Sequence, residues 1–146
     1  MHGRQKRKSR NHNQKRTTCA VCGTSQTTYL TRVYRDLVPL CPDCRMLSEN
    51  EVDFRMGLAE LKRCRTWDGF IIGKKRRRFE KLLNHRNSRV IELAKEMELE
   101  HQFRSRISAA SKDHEPNLDL LVEDFQTWLD GRVERIAEAC WEHLED

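Results

Sequence analysis

The chain has 146 residues, enough for one modest domain or for a small module with appendages. Charged residues make up 35% and hydrophobic residues only 37% of it, which is too little apolar material for a large core, and the net charge is +5. No apolar run approaches the length of a membrane span and none follows the basic N-terminus, so we expect neither a membrane span nor a secretory signal. We expect an intracellular location, in the cytoplasm or nucleoid, or in the nucleus of a eukaryotic host.

Residues 1–18 form a basic segment with seven Lys or Arg and no acidic residue. After Met1 this segment has no aliphatic or aromatic side chain, so it cannot bury enough surface to offset the entropy lost on ordering. We expect a disordered arm that lies along nucleic-acid phosphates; a solvated tail and a nuclear localisation signal are the alternatives. Its basic residues are Arg4, Lys6, Arg7, Lys8, Arg10, Lys15 and Arg16.

Two Cys-x-x-Cys pairs follow, Cys19 with Cys22 and Cys41 with Cys44, and eighteen residues separate them. Each pair can supply two corners of a tetrahedron, and four thiolates make the closed coordination shell of a structural zinc site. Gly23 follows the first pair, where the backbone has to turn sharply. We predict one structural Zn²⁺ held by these cysteines. Two disulfides are the alternative, which a reducing compartment disfavours.

The residues between the cysteine pairs predict short strands. Residues 27–34 (TTYLTRVY) are rich in β-branched and aromatic side chains, which favours one or two strands. The second cysteine pair is expected to open a helix, with Pro42 at an early position and Asp43 near the positive helix end. Knuckle, hairpin, knuckle and helix make a treble-clef-like module over residues 19–50. The predicted fold class is a small zinc-centred α+β module followed by a mainly α-helical C-terminal part.

The sequence CAVCG … LTRVYRDLVPLCPDCR resembles the zinc-bearing form of the HNH (ββα-metal) endonuclease family. The resemblance covers residues 19–50 and is closest over Asp36–Cys44. It implies a treble-clef scaffold. In that family a histidine at the end of the first strand is the general base for attack of water on a phosphodiester, and further His and Asn side chains hold the catalytic metal and the loop.

This sequence lacks the family's histidines at the matching positions. Residues 27–29 (TTY) stand where paired histidines are expected, Arg45 replaces the histidine after the last cysteine, and residues 19–84 contain no histidine. Neither Thr nor Tyr replaces an imidazole as the general base. We therefore expect the scaffold without the nuclease activity; a divergent nuclease that uses a displaced His85 or a carboxylate such as Asp36 stays open.

Residues 45–66 are predicted to be helical, with Ser48 as the cap and Glu51 reaching back to it in a capping box. Cys64 is predicted to be a buried or half-exposed free thiol. Residues 67–73 (WDGFIIG) predict a turn followed by a short apolar patch. Packing is the favoured role for this patch, and stacking of bases on Trp67 and Phe70 is the alternative.

Residues 51–112 are predicted as a basic helical region, in which residues 74–110 form the longest helix and provide either a helical hairpin arm or a coiled-coil partner. This helix opens with five consecutive basic residues, although the helix dipole favours cations at the other end. The conflict suggests an external anion such as phosphate; a solvated charge run is the alternative. The five residues are Lys74, Lys75, Arg76, Arg77 and Arg78.

Residues 113–146 carry eleven acids and two arginines. After a polar break, Asn117 predicts the cap of one acidic amphipathic helix over residues 117–146. Gly131 lies inside this helix, at a cost of about 1 kcal/mol relative to Ala. Packing of the apolar stripe against residues 79–107 is favoured, and a surface for a protein partner or a homodimer is the alternative.

Three functional classes are compatible with these features. We favour a non-catalytic zinc protein that binds nucleic acid, DNA rather than RNA, and regulates transcription or nucleic-acid processing. Binding would be mainly through phosphates, and the module side chains placed to reach base edges are Arg32, Arg35 and Arg45. A module that binds a basic protein through the acidic helix and a divergent HNH endonuclease are the two alternatives.

Overall fold

The computed structural model describes residues 18–25, 27–65 and 69–145, and the chain divides into two compact units between Met56 and Gly57. The first unit contains strands β1 (Tyr29–Val33) and β2 (Asp36–Leu40), and helix α1 (Glu49–Cys64) begins in it. The second unit contains α2 (Lys74–Leu82), α3 (Ser88–Lys112), α4 (Leu118–Asp130), α5 (Arg132–Arg135) and α6 (Glu142–Glu145). No described helix combines the length and apolar composition that crossing a membrane requires.

The two strands form an antiparallel hairpin in which Tyr29 lies opposite Leu40 and Val33 opposite Asp36. A two-residue turn joins them, and its first residue, Tyr34, has a left-handed φ of 57°. The sequence predicted one or two strands within residues 27–34 as part of a hairpin, and the structure places the second strand later, at Asp36–Leu40. Strand β2 contains Pro39, which has no backbone N–H to donate to a ladder and therefore weakens the strand signal.

The second cysteine pair does not open the long helix directly. A short 3₁₀ turn covers Cys44–Met46, and Leu47 then adopts extended backbone, so the turn ends before α1 begins at Glu49. The predicted start of the helix at residue 45 is therefore wrong. The predicted cap is confirmed, because Ser48 Oγ accepts a hydrogen bond from the Glu51 amide at 3.1 Å.

The core of the first unit is built around the cysteines. Side chains of the hairpin and of the start of α1 are buried in one cluster with three of the four cysteines, so these cysteines are part of the hydrophobic core of the unit. The buried members are Cys19, Val33, Val38, Leu40, Cys41, Cys44 and Val52.

The predicted single helix over residues 74–110 is two helices, α2 and α3, separated by residues 83–87. Asn87 is the reason for the new start, because its side chain accepts a hydrogen bond from the Arg89 amide at 2.9 Å and caps α3. Within the second unit, the end of α1 packs closely on α3: a Cβ on Gly57 would lie 2.6 Å from a methyl carbon of Val90. The apolar stripe of α3 is buried.

The predicted continuous helix over residues 117–146 is also wrong. Helix α4 ends at Asp130, Gly131 caps it, and the chain continues through α5, a 3₁₀ turn and α6. The break lets Arg132 and Arg135 reach Glu96 and Glu100 of α3, which a straight helix would not allow.

Those two glutamates make a buried ionic network in the second unit. Glu100 accepts hydrogen bonds from Arg132 at 2.8 Å and from Arg104 at 2.9 Å. Glu96 receives two hydrogen bonds from Arg135, at 2.8 and 3.1 Å. The guanidinium of Arg132 lies between two tryptophans, 4.6 Å from the ring centre of Trp128 and 3.8 Å from that of Trp141.

Apolar packing also holds α4 against α3. Phe103 of α3 lies 5.3 Å from Phe125 and 5.4 Å from Trp128 of α4, measured between ring centres. This agrees with the favoured expectation that the C-terminal stripe packs within the chain. None of the residues of α4 is fully buried, however, so part of its apolar surface stays in contact with solvent.

Candidate metal centre

The four predicted cysteine ligands come together in the first unit. The sulfur atoms of Cys19, Cys22, Cys41 and Cys44 all lie within 4.8 Å of one another, and the sulfurs of Cys22 and Cys41 are 3.8 Å apart. A tetrahedral zinc site with zinc–sulfur bonds of about 2.3 Å has sulfur–sulfur edges of about 3.8 Å. The donor set and its spacing therefore fit a metal ion.

Local backbone hydrogen bonds hold the first cysteine pair in a tight turn. The Gly23 amide donates to the Cys19 carbonyl at 2.9 Å, and the Cys19 amide donates to Thr24 at 3.0 Å. Gly23 has φ +75°, a conformation that a side chain makes costly, so this glycine is required by the turn. The Ala20 amide donates to the Pro39 carbonyl at 2.8 Å and thereby joins this turn to β2.

The second pair is held by its own turn at the end of β2. The Arg45 amide donates to the Cys41 carbonyl at 3.1 Å, and the Cys44 amide donates to the Cys41 sulfur at 3.4 Å. Amide hydrogen bonds to sulfur stabilise a thiolate, which is the form that binds metal. The hairpin between the two turns brings them together, so the sequence separation of the pairs is spanned by β1 and β2.

The thiols of this cluster have very different acidities. Burial acts to raise the pKa of Cys19, but hydrogen bonds with the Cys22 and Cys41 backbone outweigh it and bring this pKa to about 6. Burial and the neighbouring thiols raise the pKa of Cys44 far above its usual value. Four thiolates at this separation would repel one another. A divalent cation that displaces the thiol protons offsets this repulsion with its own positive charge.

The other two cysteines lie in the second unit. Cys64 is buried, as the sequence predicted for a free thiol, and burial raises its pKa. Cys140 lies near Arg89, whose guanidinium nitrogen is 3.5 Å from its sulfur. Within residues 18–25, 27–65 and 69–145, no second group of three or more Cys, His, Asp or Glu side chains is placed to hold a metal ion.

The basic residues predicted to contact nucleic acid fall into three groups. Arg32 and Arg35 are exposed on the hairpin, and Arg45 is exposed with its guanidinium 4.7 Å from the ring centre of Tyr29. The predicted arm residues Arg4, Lys6, Arg7, Lys8, Arg10, Lys15 and Arg16 lie outside the described part of the chain.

The third group is the basic start of α2. Lys74, Lys75 and Arg77 are exposed, whereas Arg76 and Arg78 are engaged with carboxylates of neighbouring helices. Sequence reasoning missed one member, Lys81, which lines the same cleft as Lys74 and Arg77. The helical spacing of Lys74, Arg77 and Lys81 could have identified Lys81, but this residue lies outside the run of five consecutive basic residues.

The residues considered for a divergent nuclease belong to different units of the chain. Thr28, where the family has a histidine, is buried. His85 lies in the second unit, where its Nδ1 accepts a hydrogen bond from the Asn87 amide at 3.0 Å. Asp36 lies at the start of β2, opposite Val33.

The chain matches no protein-family model, no curated protein and no solved structure. The resemblance to the zinc-bearing HNH scaffold therefore depends on the spacing of the cysteines and on the segment Asp36–Cys44 alone. In the structure that segment is β2 and the turn that follows it.

Proposed function

We propose that this protein is a non-catalytic zinc protein that binds nucleic acid and regulates transcription or nucleic-acid processing. The observation that carries the proposal is the placement of exposed Arg32, Arg35 and Arg45 on a small unit whose core is a four-cysteine cluster. Because a paired backbone carries these cations, only their side chains have to be ordered when they bind phosphates or base edges. DNA is the favoured target.

Zinc is the proposed metal, and a treble-clef-like scaffold is the proposed fold of the first unit. Soft thiolates select Zn²⁺ over hard cations, and four protein ligands leave no open position for a substrate. The ion would then hold the hairpin and the two turns together without taking part in a reaction.

We propose that the protein is not catalytic because it lacks a general base and catalytic-metal ligands at the positions where the resembling family has them. A phosphodiesterase of the resembling family needs an imidazole near the attacking water, and residues 19–84 contain none. Incubation of the zinc-loaded protein with plasmid and Mg²⁺, Mn²⁺ or Ni²⁺ tests this point, and we expect no nicking even at high protein excess. Nicking that is lost in a His85→Ala variant would identify a divergent nuclease instead.

Binding is tested with the zinc-loaded chain and labelled duplex DNA, single-stranded DNA and RNA, each over a salt series. We expect log K to fall linearly with log salt, with a slope that counts the phosphates contacted. Arg32→Gln with Arg35→Gln should lower the affinity for duplex DNA by roughly 30-fold or more if both side chains reach base edges, since each good base contact contributes about 1–3 kcal/mol. No binding at low salt would refute the proposal.

A second function is favoured by one observation on α4. This helix carries four acids and no base, and its apolar residues Leu120 and Val122 are 59% and 46% exposed. A helix whose acids are interspersed with exposed apolar side chains fits a basic amphipathic protein segment. A Leu120→Ser, Val122→Ser double variant should lose binding to a Lys- and Leu-rich helical peptide while it keeps DNA binding. Equal peptide binding by the variant and the parent would remove this candidate.

A further inference from the structure

Helix α2 presents a cationic cleft on the outside of the second unit. The cleft has a volume of about 560 Å³ and is lined by Gly73, Lys74, Arg77, Arg78 and Lys81. Lys74, Arg77 and Lys81 are spaced three and four residues apart, so they share one side of the helix. Phe79 and Leu82 are buried on the other side. The lining contains no carboxylate among the residues that the structure describes.

Two other arginines of α2 are held by carboxylates of the same unit. Arg76 makes two parallel hydrogen bonds with Glu98 of α3, one of them at 2.9 Å. Arg78 makes two with Glu60 near the end of α1, both at 2.8 Å. Paired hydrogen bonds between a guanidinium and a carboxylate fix both side chains in orientation. These two arginines therefore join α2 to its neighbours on either side.

Of the residues that line the cleft, Arg78 is held in this way, and the other three cations of the cleft differ from it. Considering only the described residues, no carboxylate pairs with Lys74, Arg77 or Lys81, although α2 also contains Glu80, which pairs with Arg76 at 3.3 Å. Three like charges along about 10 Å of helix repel one another. An external polyanion would relieve that repulsion.

The backbone amides at the start of α2 add partial positive charge next to the three cations. Gly73 stands at the N-cap with φ +67° and has no side chain that could accept a hydrogen bond from the first amides, and the first turn contains no acidic residue. The first amides of a helix have no partner within it, and the helix dipole makes this end positive. These amides reinforce the field of the side chains.

We infer that Lys74, Arg77 and Lys81 form a contact surface for the phosphodiester backbone of nucleic acid, and that Arg76 and Arg78 position the helix that carries them. This inference rests on the proposed function and specifies where the second unit takes part in it. A nucleic-acid strand presents regularly repeated phosphates, which suit cations spaced along a helix. A membrane surface fits less well, because the exposed side chains of α2 itself are all charged and none can insert among lipids.

The experiment uses the full zinc-loaded chain and a mixed-sequence DNA duplex over a salt series. A triple variant, Lys74→Gln, Arg77→Gln and Lys81→Gln, removes the surface. A matched control, Lys62→Gln, Lys95→Gln and Lys112→Gln, removes the same charge from exposed positions elsewhere in the second unit. Far-UV circular dichroism and thermal melting show that both variants fold.

We expect the triple variant to lower the affinity roughly 10- to 100-fold at 150 mM salt and to reduce the slope of log K against log salt by about 2.7, which is about 0.9 per lost phosphate contact. The control should change the affinity less than about threefold. Equal effects of the two variants would overturn the surface and leave the proposed function standing. Failure of the parent chain to bind duplex or single strands overturns both.

A second binding experiment uses vesicles of phosphatidylserine and phosphatidylcholine. We expect no difference between the parent and the triple variant in vesicle binding. Vesicle binding that depends on the three cations, without a matching effect on the duplex, would overturn the inference in favour of a membrane surface.

Discussion

The two units of this protein compensate for a shortage of apolar residues in different ways. In the first unit, three buried cysteines form part of the core itself, so the metal site and the hydrophobic core are one structure. In the second unit, an aliphatic and aromatic core is extended by arginine–glutamate pairs, and a guanidinium lies between two tryptophans. A charged chain can therefore fold with little apolar material if its polar groups are paired.

The difference between the units lies in how far apart in sequence the partners are. The cysteines fall within residues 19–44, and the two turns that hold them form locally. Arg132 and Arg135 instead meet α3 residues that are 32 and 39 positions away. We expect the first unit to respond to metal and the second to respond to mutation of its charges.

The largest expected effect is that of Cys41→Ser. A structural zinc ion contributes about 10–16 kcal/mol to the folding of small zinc modules at pH 7, so losing one ligand should unfold the first unit. Zinc content per chain, measured by mass spectrometry, should fall from one to near zero. Cys140→Ser is the control and should keep one zinc ion, since Cys140 lies outside the cluster. Full zinc content in the Cys41 variant would refute the ligand assignment.

The same variant also tests the comparison between the units. Both tyrosines lie in the first unit, and Trp128 and Trp141 lie in the second. The tryptophan fluorescence of the Cys41 variant should therefore show cooperative unfolding in urea, while the hairpin resonances seen by NMR should disappear. Loss of both signals would show that the second unit depends on the metal as well.

Arg132→Met has the next largest expected effect, on the second unit. Removing this buried guanidinium leaves Glu100 with fewer partners in the interior and removes the contact with both tryptophans. We expect a loss of about 3–5 kcal/mol in the free energy of unfolding, measured by urea denaturation with tryptophan fluorescence. Arg106→Met is the control, because Arg106 is exposed beside Phe103, and should cost about 1 kcal/mol or less. A similar small cost for both would contradict a stabilising network.

The smallest expected effect concerns pH. The hydrogen bond with Arg76 lowers the pKa of Glu98 below its usual value of 4.5 in the folded chain. The stability that this pair contributes is therefore present above pH 4.5 and is lost as the pH falls through the lower folded value. Glu98→Gln should cost about 1–2 kcal/mol at pH 7 and flatten the fall of stability in acid. Glu92→Gln, on an exposed position of α3, is the matched control for the loss of one negative charge and should cost less than about 0.5 kcal/mol at pH 7.

The cysteine cluster was predictable because its ligands come from two short motifs with fixed local geometry. The order of knuckle, hairpin and knuckle followed from the same spacing. The strand β2 was missed because Pro39 weakens its signal. The break between α2 and α3 was missed because neither Gly nor Pro marks it, although Asn87 offered a capping signal.

The ionic network of the second unit could not be predicted from the sequence. Glu96 and Glu100 lie on a helix rich in charges, where a solvent-exposed position is the ordinary expectation. Their burial depends on arginines that a break at Gly131 turns toward α3. Pairing over such distances follows from the packing of three helices, which periodicity within any one of them does not reveal.

The large sequence separation between Arg132 and Arg135 and their glutamate partners affects when each unit can fold during synthesis. All four cysteines have been added to the chain once residue 44 is made, so the candidate metal site of the first unit is complete in sequence early. Glu96 must wait for Arg135, and at roughly 5–20 residues per second this takes several seconds more. During that interval α3 carries carboxylates that the finished protein hides. A nascent chain stalled before residue 132 should therefore hold metal while its second unit remains open to chaperones and proteases.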